Sequence, residues 1–340
     1  MSQTFSLAKL ARILKAVNLG KSIILDGNGY PTAFDPKYDD NLIINGNMLV
    51  AQRNTTYALT TSTAYGSIDR WCFQQATSAA GVADQVAANL AGFQYALKLG
   101  RNSGATSTGI IQANNVLESV SSIPLQSKTV TISFWAKAGA NFSGTQLNTA
   151  LISGQGIDQT SVSLGTWTSQ STVASLNQTL TTIWTRYSYT GTVSTSATQL
   201  AVHFEYTPTG TAGADDNVYI TGVKLNEGSI ATPINFRSFG TELSLCQRYY
   251  SKSNPIYTLG SVYSAGYEVL PSTIFPVTMR NIPAYTPTVG AKSSGGTPGT
   301  TGAYNAQVGE NSARNDFVNT GGVVNTTYTV TLSWTADAEL

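Results

Sequence analysis

The chain has 340 residues, of which only 11% are charged, and a formal net charge of +1. That balance excludes the basic stripe of a nucleic-acid-binding protein, and an apolar content of 41% excludes a disordered chain. The length suits roughly two domains, each able to bury its own core.

In chain order, "MSQTFSLAKLARILKAV" predicts a helix. Leu7, Leu10, Leu14 and Val17 form an a/d seam over two heptads, with Lys9, Arg12 and Lys15 on the flanks. So short a helix is not stable alone, so it is expected to pack on its own domain, a symmetric bundle or a larger assembly. The three charges interrupt the apolar run that a signal peptide needs, and no later stretch is long enough to cross a bilayer. Neither Sec export nor membrane insertion is expected. The turn-rich "LDGNGYPTAFDPKYDD" completes an N-terminal region over residues 1–40.

Asn41 to Arg53, "NLIINGNMLVAQR", sets two apolar runs about Asn45-Gly46-Asn47, the pattern of a hairpin turn. From here the signal is β. "TVTISFWAKA" alternates, with Val130, Ile132 and Phe134 on one face and Thr131, Ser133, Trp135 and Lys137 on the other. "TRYSYTGTVS" sets Tyr187 and Tyr189 against Arg186 and Ser188. "LAVHFEYT" places Leu200, Val202, Phe204 and Tyr206 inward and His203 and Glu205 outward. Short strands with Gly, Ser and Thr between them argue for a β-sandwich, and the lack of a fixed-period repeat argues against a β-helix. A connecting helix is expected over 241–252, capped by Thr241, with Leu243, Leu245 and Tyr249 inward. A smaller, thinly cored β-sandwich is expected over 253–340. Within it, Phe275 to Pro283 reads as a strand closed by proline and "KSSGGTPGTTGAYN" as a flexible surface loop.

The order of "NLIINGNMLVAQR", "SIDRWCF", "TVTISFWAKAG", "IWTRYSYTGTV" and "NVYITGVKLNEGSIATPI" resembles the jelly-roll of carbohydrate-binding modules. The continuation "ATPINFRSFGTELSLCQRYYSKS" resembles bacteriophage tail-fibre and receptor-binding structural proteins, in which a Cys-Gln-Arg-Tyr-Tyr run leads into a distal β domain. The resemblance spans residues 41 to 252 well and the remainder in outline. It implies a mainly β fold, a jelly-roll over 41–240 and a distal tip over 253–340, and core positions for Trp71 and Trp184. Where many such modules have an Asp in the last strand, this chain has Thr221 and Gly222, so a calcium site involving Asp215 or Asp216 stays an open question.

Chemistry is sparsely signalled. His203 is the only histidine, and although it shares a strand face with Glu205, no nucleophile is nominated beside it. The 18 acidic residues are scattered, without a glycosidase pair, and Cys72 and Cys246 read as buried thiols, not zinc ligands. No catalytic residue, metal or cofactor is expected. Binding of neutral sugars uses aromatic faces with polar groups at their edges. Trp135 and Trp167 are the jelly-roll candidates for that role, and Tyr257, Tyr263, Tyr267 and Tyr304 those of the C-terminal domain.

The sequence is therefore expected to encode a non-enzymatic virion protein, assembled in the host cytoplasm: a tail fibre or receptor-binding protein recognising a host surface glycan. A homotrimer is expected, with other virion proteins held through the N-terminal segment. The alternatives are a capsid decoration or head-fibre protein, and a bacterial sugar-binding protein or depolymerase.

Overall fold

The computed structural model describes residues 23–25, 31–34, 41–77, 80–159, 165–293 and 299–340. The helix expected on Leu7, Leu10, Leu14 and Val17 lies outside these. The chain divides into two compact units, one closing at Ser238 and one spanning Phe239–Glu339.

In the first unit, β1 (Ile23–Leu25) and β2 (Pro31–Phe34) form a short antiparallel pair within the stretch expected as linker. The body is a jelly-roll sandwich built from β3 (Ala64–Tyr65), β4 (Trp71–Gln75), β5 (Gly81–Leu90), β6 (Phe93–Arg101), β7 (Ile111–Leu117), β8 (Thr129–Ala138), β9 (Leu147–Gly154), β10 (Ser171–Gln178), β11 (Thr185–Thr192), β12 (Gln199–Tyr206) and β13 (Asn217–Glu227). One sheet has the order β10-β9-β12-β7-β4-β3 and the other β11-β8-β13-β6-β5. A short helix, α1 (Ser119–Ser122), and a single 3-10 turn link β7 to β8.

Alternation explains the core. Val130, Ile132, Phe134 and Ala136 of β8 meet Leu200, Val202, Phe204 and Tyr206 of β12 between the sheets. Phe134 and Phe204 pack edge to face with centroids 5.0 Å apart, and Trp71 stands 6.0 Å from Phe204. Each such ring contributes about 1.5–3 kcal/mol by leaving water.

Asn41 to Val50 is not a hairpin; it forms turns stitched to the last strand of the sandwich. Asn41 Nδ2 donates to the Val223 carbonyl at 2.8 Å, and its Oδ1 accepts from the Leu225 amide at 3.1 Å. Asn45, at φ 58°, donates to the Val50 and Asp69 carbonyls and accepts from the Leu49 and Val50 amides. A Cβ on Gly46 would lie 2.1 Å from the Val223 oxygen, so only glycine fits.

The outer face of the five-stranded sheet is partly roofed by the segment that follows β13. Thr131 Oγ1 donates to the Gly228 carbonyl, Asn226 Nδ2 to Ile230, Lys224 Nζ to Pro233 and an Arg186 Nη2 to Thr232. Lys224 is thereby wholly buried.

The second unit opens with α2 (Phe239–Gln247), which includes Thr241 within its first turn. Glu242 and Cys246 are its buried side chains, whereas Leu243 and Leu245 are half-buried; Tyr249 is buried as expected. A carboxylate in the first turn suits the positive end of the helix dipole. The strands are β14 (Tyr250–Lys252), β15 (Ile256–Ser264), β16 (Tyr267–Ile274), β17 (Ala284–Ser293), β18 (Thr300–Val308), β19 (Ser312–Thr320) and β20 (Thr327–Asp337). They make one seven-stranded antiparallel sheet, not the expected sandwich. It curls, because Val262, Leu270, Val289, Tyr304, Phe317 and Val330, from six strands, share one cluster.

Phe275 to Pro283 is a connection, not a strand, since prolines at both ends remove ladder donors. Its Phe275 and Met279 pack near Trp334. The end of the glycine-rich run, from Thr300, is strand β18 rather than loop. A buried Glu268 accepts from Lys292 Nζ at 2.5 Å and Tyr328 Oη at 2.8 Å. Burial pushes its carboxyl up, but the bonds from Lys292, Thr301, Tyr328 and Asn319 outweigh this and hold it below the usual range.

Candidate functional site

The five-stranded sheet carries a cross-strand row on its outer face. β8 presents Lys137 opposite Tyr219 of β13, Tyr219 stands opposite Lys98 of β6, and Lys98 opposite Asp84 of β5. Trp184, just before β11, extends the row beyond Lys137. The Lys137 ammonium lies 5.4 Å from the Trp184 ring centroid and 4.9 Å from that of Tyr219, a cation–π contact on each side.

The tip of the β5–β6 hairpin forms the wall above this row. Trp184 Nε1 donates to the Ala88 carbonyl at 3.0 Å, and Thr221 Oγ1 donates to that of Tyr95 at 2.8 Å. Phe93 packs on Phe236 and Trp135, at centroid distances of 5.3 and 6.5 Å. Between Val86–Asn89 and the floor of Lys98, Lys137 and Tyr219 runs a groove of about 370 Å³. That is within the roughly 300–1,000 Å³ typical of small-ligand sites.

Charge in the row is arranged pair by pair. Lys98 Nζ is 3.8 Å from Asp84 Oδ2. Burial raises the Asp84 carboxyl, only partly opposed by Lys98 and a backbone hydrogen bond from Tyr57. Asp215 also feels burial, but hydrogen bonds from Asn217, Tyr219 and the Ala140 amide prevail, so its carboxyl is held low. The Tyr219 hydroxyl is raised by burial and by donating to Asp215.

Trp135 is on the face opposite Phe134, as its strand parity requires, and half-buried against Phe93 beside the groove. Trp167 is a correction: it is 4% exposed and packed with Val116, Ile152 and Ala201, so it presents no open ring face. Tyr304 is half-buried, packed on Phe317 at 5.2 Å with its hydroxyl donating to the Arg314 carbonyl. Tyr257 is 86% exposed, and Tyr263 and Tyr267 stack on each other in the open at 6.3 Å. These three lie in the other unit.

Trp184, Lys137 and Tyr219 were not expected as a site. The parity that turns Tyr187 and Tyr189 inward puts Trp184 on the face of Arg186, a signal the resemblance to core positions obscured.

The six-stranded sheet holds the other polar pair. His203 Nε2 is 3.1 Å from Glu205 Oε2, and Nδ1 is 2.5 Å from Asn114 Oδ1. The His203 hydrogen bond holds the Glu205 carboxyl low, against burial. Cys72, on β4, is two strands from His203, about 10 Å, and its thiol donates to the Asn114 carbonyl. Nucleophile and base are therefore not in contact. Asp216 is committed to Arg101, and among the described residues no group of three or more His, Cys, Asp or Glu could hold a metal. No described helix is long and apolar enough to cross a membrane.

No protein-family model matches the chain, and no curated protein does. Solved structures with a similar fold include a CBM4 carbohydrate-binding module, 18% identical, which covers 55% of this chain and 99% of its own at a TM-score of 0.35. TmCBM61 in complex with β-1,4-galactotriose is 11% identical, covering 56% of this chain and 99% of its own, with a TM-score of 0.34. The enzymatically active domain of tailspike protein 4 from bacteriophage CBA120 is 13% identical, covering 55% of this chain and 21% of its own, with a TM-score of 0.32. At these identities the likeness is one of strand arrangement.

Proposed function

We propose that the chain binds a glycan, without catalysis, in the groove of the five-stranded sheet. The observation that carries this is the groove beneath the β5–β6 hairpin, which Tyr219 and Lys137 line together, with the Trp184 ring beside it on the other side of Lys137. Retention on a panel of immobilised bacterial surface polysaccharides tests it. Trp184→Ala is expected to lose whatever the parent retains, and equal retention by both would move binding away from this groove.

The wider role we infer is that of a phage virion protein, a tail fibre or receptor-binding component, assembled in the host cytoplasm and trimeric. What supports it is the ordered set of motifs from Asn41 to the Cys246–Tyr250 run. Residues 1–40 would then serve as clamp or virion anchor, and the exposed Tyr257, Tyr263 and Tyr267 as part of the tip. Sedimentation equilibrium of the full chain tests this. A trimer is expected, and a monomer would turn the reading toward a lattice-bound decoration protein or a simple sugar-binding module.

A further inference from the structure

We propose that the groove selects acidic glycans, with the carboxylate of a uronic acid residue seated on Lys137. This rests on the glycan-binding reading above and names its ligand class.

Lys137 differs from the other cations on this face. Lys224 is spent on the Pro233 carbonyl and Arg186 on Ser133 and the carbonyls of Ala231 and Thr232. Lys98 lies against Asp84. Lys137 has only the faces of Trp184 and Tyr219: among the described residues its ammonium makes no hydrogen bond and no ion pair. It is half-buried, so two rings have replaced part of its water and given no acceptor in return. Its three N–H donors face a cavity.

A neutral hydroxyl could accept from this ammonium, but a carboxylate makes a charge-assisted bond roughly twice as strong. The gain is larger where rings and a hairpin wall restrict water. A sugar seated in the groove against Tyr219 would bring its substituents toward Nζ, since Lys137 lines the same groove and lies 4.9 Å from that ring centroid. The same row limits the number of charges. Asp84 lies against Lys98 and Asp215 accepts from Tyr219, so Lys137 is the cation of the row left to meet an anion, which favours one carboxylate per bound segment over a densely sulfated or phosphorylated chain.

Affinity electrophoresis of the full-length protein through gels holding polygalacturonate, alginate or hyaluronate, each beside its carboxyl-reduced neutral form, tests this. Retardation by at least one acidic polymer is expected, weakened about tenfold by carboxyl reduction and to a similar degree by Lys137→Met, which keeps the aliphatic stem. Lys137→Arg should retain much of the binding. Dextran sulfate, the sulfate arm without carboxylates, should bind more weakly than the best uronate. Equal retardation by acidic and reduced forms, or full uronate binding by Lys137→Met, would overturn acid selection and leave glycan binding standing. Tighter binding of dextran sulfate than of any uronate would overturn the carboxylate assignment. If no polymer, acidic or neutral, retards the parent, the glycan reading falls with it.

Discussion

Arg101 and Asp216 meet at 2.6 Å with both side chains fully shielded from solvent. The guanidinium also donates to the carbonyls of Ala105, Ser107, Thr209 and Gly210, while Ser143 donates to Asp216 through both its amide and its hydroxyl. One ion pair thus gathers the loops at this end of the sandwich. Arg101→Met would strand a buried carboxylate and several carbonyls, at an expected cost of about 3–5 kcal/mol. Urea denaturation checks this, and Arg101→Met with Asp216→Asn should recover part of the loss.

The same cluster bears on metal dependence. Backbone carbonyls around a carboxylate are the ligands a calcium ion takes, and here a guanidinium fills that place. Excess EDTA is therefore expected to leave the calorimetric melting temperature of the sandwich unchanged. A fall of several degrees would place a structural ion elsewhere.

Gly46→Ala should cost about 1–3 kcal/mol, the range for overpacking a tight site, because its Cβ would overlap the Val223 oxygen. Asn45→Ala removes the partner of two amides and two carbonyls and should be at least as damaging. Urea midpoints of both variants, at unchanged slope, are the measurement.

Glu205 and Asp84 should respond to pH with opposite signs. Hydrogen bonding from His203 holds Glu205 below its ordinary 4.5, so it contributes stability that is present above 4.5 and lost as pH falls through its folded value. Glu205→Gln should therefore flatten the acid limb of a urea-midpoint profile. Burial raises Asp84 above 3.8, so its contribution declines as pH rises from 3.8 through its folded value. Asp84→Asn is expected to be more stable than the parent at pH 7, with the gap closing below 3.8.

Trp184→Ala should act twice. It removes the ring that supports Lys137 beside the groove, with an expected loss of about tenfold or more in affinity for a retained polysaccharide, and it frees the Ala88 carbonyl from its donor. Hydrogen exchange at the β5–β6 tip should rise in the variant even without ligand. Unchanged exchange there would mean that Phe93, on Trp135 and Phe236, holds the hairpin unaided.

Strands were legible from alternation of apolar and polar side chains: the period of two in "TVTISFWAKA" and "LAVHFEYT" placed Phe134, Phe204 and Tyr206 in the core, although Thr131, Ser133, Ala201 and His203 on the opposite faces are also buried. The C-terminal curl was less so. In β17 and β18 no described side chain is buried and apolar residues are few, so Thr300–Asn305 looked like loop. The groove was hidden for a different reason. Lys137, Tyr219 and Trp184 are distant in sequence and become neighbours only through the strand order β11-β8-β13. Nothing local distinguishes Arg101 either, its partner being 115 residues away. Trp167 misled because an aromatic with polar neighbours in sequence can still find apolar ones in space.

Asn41 waits for a partner 182 residues downstream. At roughly 5–20 residues per second, a ribosome needs about 10–40 s to make that partner after Asn41 itself. Through that interval the bonds of residues 41–46 to Val223 and Leu225 are unmade, and Ile43 and Met48, both fully covered in the finished sandwich, lie in an incomplete core. The nascent chain should therefore be a chaperone client at its early end, and closure of β13 should be the slow, final event that releases it.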